Sequence, residues 1–474
     1  MSNPGQPHVV VIGGGIAGLA AAFFLREVPC RVTVLEGSAR LGGKLSVSEI
    51  AGVMVDEGAE ALLARRPEGT GLAAAAGLEG HRAWPGTTAA RIWSRGRMCP
   101  LPRRQVLGVP ADLAELAGTG LMSSDGLARA RQDLGLPATA RDGDVPVAAF
   151  VAARLGHEVV DRLVDPLLAG VYAGRSEELS FEATLPAIAA ESRKHASLTE
   201  AAAALLPDPA RPGSPDPVPV FTTLAGGLGT LPAAVAAASG AAVRTGAMVR
   251  GLARTATGWR LTVGSRHDEE HPAADAVILA VPASPAARLL GGVSGASAAV
   301  TALGEIRYAS MAIVTLAYQA AAFPRPLEGS GYLVPAADGR PVKAVTFSTV
   351  KWPHLRDAGA GLHIVRCSLG RVGEEAVLQS GEAELARLAA ADLAAATGAR
   401  EPPVAARVTR WGGGLPQYTV GHLDRVARIR SAVAGQPGLA VCGAAYDGIG
   451  IPACVATAQA AAGQIAAHLR DDRQ

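Results

Sequence analysis

Lysine is scarce in this chain of 474 residues: four of its 44 basic residues are lysine, namely Lys44, Lys194, Lys343 and Lys351. Acids nearly balance bases, the formal net charge is +2, and no basic block forms the electrostatic track that a phosphate backbone requires. Nucleic acid is therefore not expected as a partner, and a small-molecule ligand is. The five cysteines, Cys30, Cys99, Cys367, Cys442 and Cys454, show no CxxC spacing. They read as reduced thiols of a cytoplasmic protein rather than as a metal site. His267 and His271 stand four apart in HDEEH, but Asp occupies the position where a metalloprotease helix carries Glu, and the segment reads as a polar turn between strands. No metal is expected. The most apolar uncharged run, Val9 to Leu25, is interrupted by four glycines and followed by a second strand, so no integral membrane segment is expected. It also lacks the basic start and small-residue cleavage site of a secretory leader. No G-x-S-x-G elbow or Cys–His nucleophile motif occurs.

What is present begins with Val9 to Glu36. A β-branched run, Val9–Ile12, meets Gly13-Gly14-Gly15-Ile16-Ala17-Gly18, helix composition follows to Leu25, and a strand resumes over Arg31–Leu35. In such a βαβ unit Gly13 makes the tight turn, Gly15 lets backbone approach a pyrophosphate, and Gly18 lets helix and strand pack, so the helix N-terminus faces an anion. Glu36, about 20 residues past the glycines, is placed to accept from a ribose diol. A second glycine stretch, Arg40-Leu41-Gly42-Gly43-Lys44, precedes a hairpin-like segment ending Asp56-Glu57-Gly58-Ala59-Glu60. Lys44 or Arg40 can meet phosphate charge. On chemistry alone NAD and FAD both remain open.

Further along, residues 105 to 205 have helical character, as in Val147–Leu155 and Leu198–Leu206, and Pro207–Pro217 reads as a loop or linker. Strands are expected at Ala242–Thr245, Val249–Ala253, Trp259–Val263, Ala276–Val281, Ala312–Tyr318 and Ile364–Leu369, with a helix near Glu382–Ala396. Leu439–Pro452 reads as strand, glycine loop and helix start.

The pattern E-x3-R-x-G-G-[RK] followed by D-x-G resembles the second FAD signature of the flavin amine oxidase superfamily, which selects FAD over NAD. Four further stretches are similar to oxygen-dependent, FAD-containing porphyrinogen oxidases: LPRRQVLGVP (101–110), LGHEVVDRLVDPLLAGVYAGRSEELSF (155–181), KWPH (351–354) and RWGGGLPQYTVGH (410–422). GVYAG-x4-LS is the most telling, since amine oxidases and carotenoid desaturases lack it. KWPH and the pattern around Val365–Glu375 look closer to the soluble Gram-positive branch, whose substrate is coproporphyrinogen III, than to the protoporphyrinogen branch. Arg175 stands where that family usually has Asp, and Glu60 and Arg66 replace other polar types.

The resemblance implies an α/β fold: a discontinuous Rossmann-like FAD-binding domain (1–62, 219–285 and 405–474), an α+β substrate domain (63–95 and 286–404) and a helical subdomain (96–218). It implies noncovalent FAD held by Gly13, Gly14, Gly15, Ile16, Ala17, Gly18, Glu36, Gly43, Lys44, Gly58, Ala59 and Glu60. Val249 would lie at the adenine, Trp411 near the flavin, and Gly450, Ile451 and Pro452 at its ring. The substrate implied is a tetrapyrrole, oxidised with O2 in haem biosynthesis, with product transfer to a ferrochelatase. A backbone carbonyl between Gly170 and Gly174 is the proton-acceptor candidate. Arg65, Arg66, Arg103, Arg104 and Arg175 are propionate candidates, since guanidinium matches carboxylate bidentately, and Tyr172 is placed to wall the macrocycle. Protoporphyrinogen oxidase, amine oxidase and a non-catalytic tetrapyrrole-binding flavoprotein are the alternative readings.

Overall fold

The computed structural model describes residues 6–139, 143–207 and 219–471. Most of the segment read as a linker, from residue 208 to 217, lies outside them.

Val9–Ile12 lies in the middle of a five-stranded parallel sheet. The strand order is Ala242–Arg244, Arg31–Leu35, His8–Ile12, Ala276–Leu279, Leu439–Val441. Strands covered on both faces by helices are apolar at successive positions, which is the composition of the inner strands, Val9–Ile12 and Ala276–Leu279, whereas the edge strand Ala242–Arg244 is largely exposed. Val9 and Val11 point to one face, into a core with the helices Ile16–Phe24, Leu231–Ser239 and Ile451–Asp471. Val10 and Ile12 point to the other, where Trp259, Leu261, and the helices Ala283–Leu290, Ser297–Gly304 and His422–Ala434 complete a second core. Sequence-distant segments thus converge on one sheet, as the α/β, Rossmann-like reading requires.

A second, seven-stranded sheet runs in the order Ala405–Pro416, Tyr308–Gln319, Leu362–Leu369, Val342–Phe347, Gly331–Leu333, Arg91–Ser94, Arg97–Pro100. Its pairs are antiparallel except Gly331–Leu333 with Arg91–Ser94. The helix Glu382–Thr397 lays Leu385, Ala389 and Leu393 on it. Glu382 and Glu384 in the helix's first turn oppose the dipole, and Gly398 at φ +75° closes its end in the left-handed region. Helices between Leu113 and Ala204 form another core around Val151, Leu163 and Phe181.

The expected strands and helices occur with ends shifted by a few residues. One reading is corrected: within the HDEEH turn, Asp268–Glu270 is itself an edge strand on Val263–Ser265, so the reversal is confined to the two residues before it. Among the described residues no helix is long and apolar enough to cross a membrane.

Candidate functional site

At the C-terminal edge of the parallel sheet the first glycine turn is fixed by contact. Gly13 has φ +111°, and a Cβ on it would stand 2.5 Å from the Ala280 carbonyl oxygen; a Cβ on Gly18 would stand 1.9 Å from that of Gly13. Both glycines are therefore demanded by the protein's own packing. Gly15 is different, because a Cβ there meets nothing within 4 Å. Gly15 also N-caps Ile16–Phe24 with no side-chain cap and no acid in the first turn, so the amides of that turn face outward with their positive dipole end uncompensated. Glu36 stands beside the turn, its carboxylate accepting from Gly14 N–H and Ser38 N–H at 2.7 Å each.

The second glycine stretch closes on the first. Gly42 N–H donates to Gly14 O at 2.8 Å, and a Cβ on Gly43 would lie 3.5 Å from Gly15 Cα. Arg40 shapes this loop, donating to Gly43 O at 2.7 Å and Leu41 O at 3.2 Å. Burial holds the Lys44 ammonium below its usual range, partly offset by neighbouring Cys454. Gly58 backs onto Lys44, where a Cβ would fall 1.9 Å from the Lys44 carbonyl oxygen and 3.2 Å from the Trp411 ring. Trp411 Nε1 in turn donates to Glu57 O at 3.0 Å, and Ala59 N–H reaches Lys44 O at 3.4 Å. Gly450, Ile451 and Pro452 begin the long C-terminal helix, which has no acid in its first turn, and Pro452 packs against Gly69. At the Glu36 end, Met248 covers Gly37 and Ala247 N–H donates to Glu36 O at 2.8 Å, bringing the adjacent Val249 strand alongside. The structure thus gathers the first turn, Gly42–Lys44, Gly58–Ala59, Val249, Trp411 and Gly450–Pro452 along one edge.

Glu60 lies behind this edge in a cluster that the motifs alone do not reveal. Its carboxylate binds Lys351 Nζ at 2.7 Å and Arg366 Nη1, while Arg366 Nη2 donates to Gly58 O at 2.5 Å. Burial would raise the Glu60 carboxyl, but the two cations prevail and hold it at about 2. Asp56 shows the opposite balance: burial pushes it up to about 6 although Leu228 and Gly229 N–H donate to it at 3.0 Å. Lys351 belongs to KWPH, which sequence similarity had singled out without a role; Arg366 had no signal beyond being a charge in an apolar strand.

The GVYAG segment ends the helix Asp165–Tyr172 with Ala173 in the left-handed region at φ +51°. Gln417 Nε2 donates to Tyr172 O at 2.8 Å, and Val372 N–H to Ala173 O at 2.9 Å. Tyr172 is buried, 5.6 Å from Tyr418, whose ring stacks on His422 at 3.8 Å. Tyr418 Oη donates to Ala444 O at 2.6 Å and accepts from Gly448 N–H at 2.8 Å, tying this loop to the C-terminal glycine loop. The arginines are less gathered. Arg66 pairs with Glu68 at 2.6 Å, Arg104 reaches Pro207 O at 3.3 Å, Arg175 stands 3.7 Å from Glu177, and Arg65 and Arg103 are exposed.

The family model for flavin containing amine oxidoreductase matches residues 16–466. The coproporphyrinogen III oxidase of Mycobacterium tuberculosis (strain ATCC 25618 / H37Rv) is 39% identical over 458 residues, covering 94% of this chain and 95% of that protein. The coproporphyrinogen III oxidase of Bacillus subtilis (strain 168) is 30% identical over 480 residues, covering 98% and 99%. A crystal structure from Exiguobacterium sp. 255-15 superposes with a TM-score of 0.85 at 29% identity, covering 98% of this chain and 100% of that one.

Proposed function

The chain belongs to the flavin containing amine oxidoreductase family, and from that premise we propose that it oxidises coproporphyrinogen III to coproporphyrin III with FAD and O2 in haem biosynthesis. The observation that carries the substrate is its 39% identity, over 94% of its length, to a coproporphyrinogen III oxidase.

The site fits FAD on one structural ground in particular. Gly13 and Gly18 are glycines because protein atoms crowd them, whereas Gly15, at the uncapped start of the helix Ile16–Phe24, faces open space that leaves room for a ligand to approach the backbone. A pyrophosphate against the Gly13–Gly18 turn, including the Ile16 and Ala17 amides, meets that description. Gly43 and Lys44 supply close backbone and positive charge, Glu36 the ribose acceptor, and Val249 the adenine wall. Gly58, Ala59, Trp411 and Gly450–Pro452 form the flavin end. Glu60, with a cation on each carboxylate oxygen, acts from behind by fixing the Gly58 turn. In this reading attachment is noncovalent, supported by the burial of Cys442 and Cys454, which pushes the Cys454 thiol up to about 11 and so disfavours its thiolate.

When bound, the flavin supplies a two-electron acceptor that O2 restores, so the six-electron oxidation takes three rounds and releases three H2O2. The polypeptide orients the macrocycle and accepts hydrogen bonds from its N–H groups, whose protons pass on to solvent. Within the GVYAG loop, Tyr172 O and Ala173 O each already accept one hydrogen bond, from Gln417 and Val372, so the carbonyls of Gly170 and Gly174 are the acceptors favoured. Tyr172, buried beneath the loop, supports it. Arg65, Arg66, Arg103, Arg104 and Arg175 are the candidates for the four propionates, all but Arg104 being exposed. The domain boundaries given above, cytoplasmic location and delivery of product to a ferrochelatase belong to the same reading. Acid precipitation of the purified protein tests its cofactor part: FAD in the supernatant supports it, and flavin retained on the polypeptide refutes it.

A further inference from the structure

Beside the Asp56–Glu60 turn lies a small cavity of about 10 Å³ whose wall includes Asp56, Glu60, Ser348, Trp352, His354 and Arg366. That volume is close to what one water needs and too small for a larger molecule. Twelve buried side-chain polar atoms among the described residues have no hydrogen-bond partner in the protein, and four belong to this wall: Ser348 Oγ, Trp352 Nε1, His354 Nδ1 and Arg366 Nε. Trp352 and Arg366 are 1% and 7% exposed, so bulk solvent does not satisfy them. An unpaired buried N–H carries a substantial desolvation penalty, and concentrating several at one cavity calls for a common partner.

We propose that this cavity is a built site for a single water molecule, which accepts from Trp352 Nε1 and Arg366 Nε and donates to the carboxylates of Asp56 and Glu60. The chemistry of the wall selects the occupant. Trp and Arg side chains are donors only, and ionised carboxylates are acceptors only; a water has two lone pairs and two hydrogens to offer in return. A halide would satisfy the donors but face two carboxylates, and a metal ion would face two N–H groups that cannot turn away a proton. Ser348 Oγ and His354 Nδ1, each able to donate or accept, complete the lining.

The bridge joins segments far apart in the chain. Asp56 is already held by Leu228 and Gly229 N–H, and Arg366 already holds Gly58 O and Glu60. The water closes that network on both sides of the Gly58 turn, making it a positioning element for the flavin edge that acts through the protein rather than by touching the cofactor.

A high-resolution crystal structure of the holoenzyme grown with bromide tests the site. One peak within hydrogen-bond distance of Trp352 Nε1 and Arg366 Nε, without anomalous signal, is expected; an anomalous peak there, or side chains closed on one another with no peak, overturns the proposal. On the folded Trp352→Phe protein, flavin titration should give a Kd raised about tenfold, the loss of roughly one hydrogen bond's free energy. An unchanged Kd with the water lost from the variant's structure overturns the positioning role.

Discussion

Substituting Glu60 by Gln removes the charge at the centre of the Lys351–Glu60–Arg366 cluster and leaves the volume nearly unchanged. The side chains of Lys351, Glu60 and Arg366 are only 15%, 13% and 7% exposed, so the cost follows that of buried networks rather than of surface pairs. Surface pairs contribute about 0–1 kcal/mol, whereas removing one partner of a buried pair costs about 3–5 kcal/mol because the other charge stays buried. Gln keeps one acceptor oxygen but turns an N–H toward a cation, so a loss of about 3 kcal/mol is expected. Urea unfolding at neutral pH, followed by circular dichroism and flavin fluorescence, measures it. Removing Arg366 as well, as Glu60→Gln/Arg366→Leu, should cost less than the two single losses summed, since the Glu60–Arg366 pair then goes together and only the Lys351 ammonium is left facing the amide. The pH dependence has a definite sign. Glu60 is depressed from 4.5 to about 2, so its contribution is fully present above pH 4.5 and is lost as pH falls through 2. The gap between wild type and variant should narrow only on that acid side. A loss under about 1 kcal/mol, with additive double-mutant energies, would refute the buried-network reasoning.

Gly15→Val should fold, because a Cβ there meets no protein atom, yet purify without flavin; Gly18→Val, driven into the Gly13 carbonyl, should not fold. Circular dichroism and flavin absorbance separate the two, and a Gly15→Val protein with full flavin would show that the turn does not face the cofactor. Burial, with Arg371 beside it, brings the Lys343 ammonium down to about 7 from 10.5. Between those values the unfolded chain binds more protons, so stability should rise with pH across that window. Lys343→Met should abolish the slope and be the more stable protein at its lower end, by on the order of a few kcal/mol; an unchanged slope in urea midpoints contradicts this. In Gly174→Ala the new Cβ falls 2.2 Å from Gln417 Oε1, pushing aside the amide whose Nε2 holds Tyr172 O and so loosening the GVYAG loop. Turnover should drop by about tenfold or more with flavin retained, and wild-type kcat would remove that loop from the chemistry.

The parallel-sheet half of the fold was legible because its signals are local: Val9–Ile12, the glycine turn and Arg31–Leu35 lie within one βαβ unit, and both-face burial of the inner strands Val9–Ile12 and Ala276–Leu279 shows as continuous apolar composition. The edge hairpin of the larger sheet was not. Arg91–Ser94 and Arg97–Pro100 are only four residues each and polar at their ends, and the first pairs with Gly331–Leu333 across more than half the chain. The Glu60 cluster was hidden for the same reason, its partners lying 291 and 306 residues away. Similarity to porphyrinogen oxidases flagged KWPH, but only the fold shows that Lys351 turns back to the Asp56–Glu60 turn. Asp56 is instructive too: the D-x-G motif marks it, while its raised carboxyl follows from burial that no motif encodes.

The central claim is tested most directly by adding anaerobically prepared coproporphyrinogen III, and in parallel protoporphyrinogen IX, to the purified holoprotein and then admitting oxygen. Enzyme-dependent growth of coproporphyrin fluorescence is expected, with three H2O2 for each porphyrin and a higher kcat/KM on coproporphyrinogen. No acceleration over autoxidation, or a higher kcat/KM on protoporphyrinogen, would contradict the account.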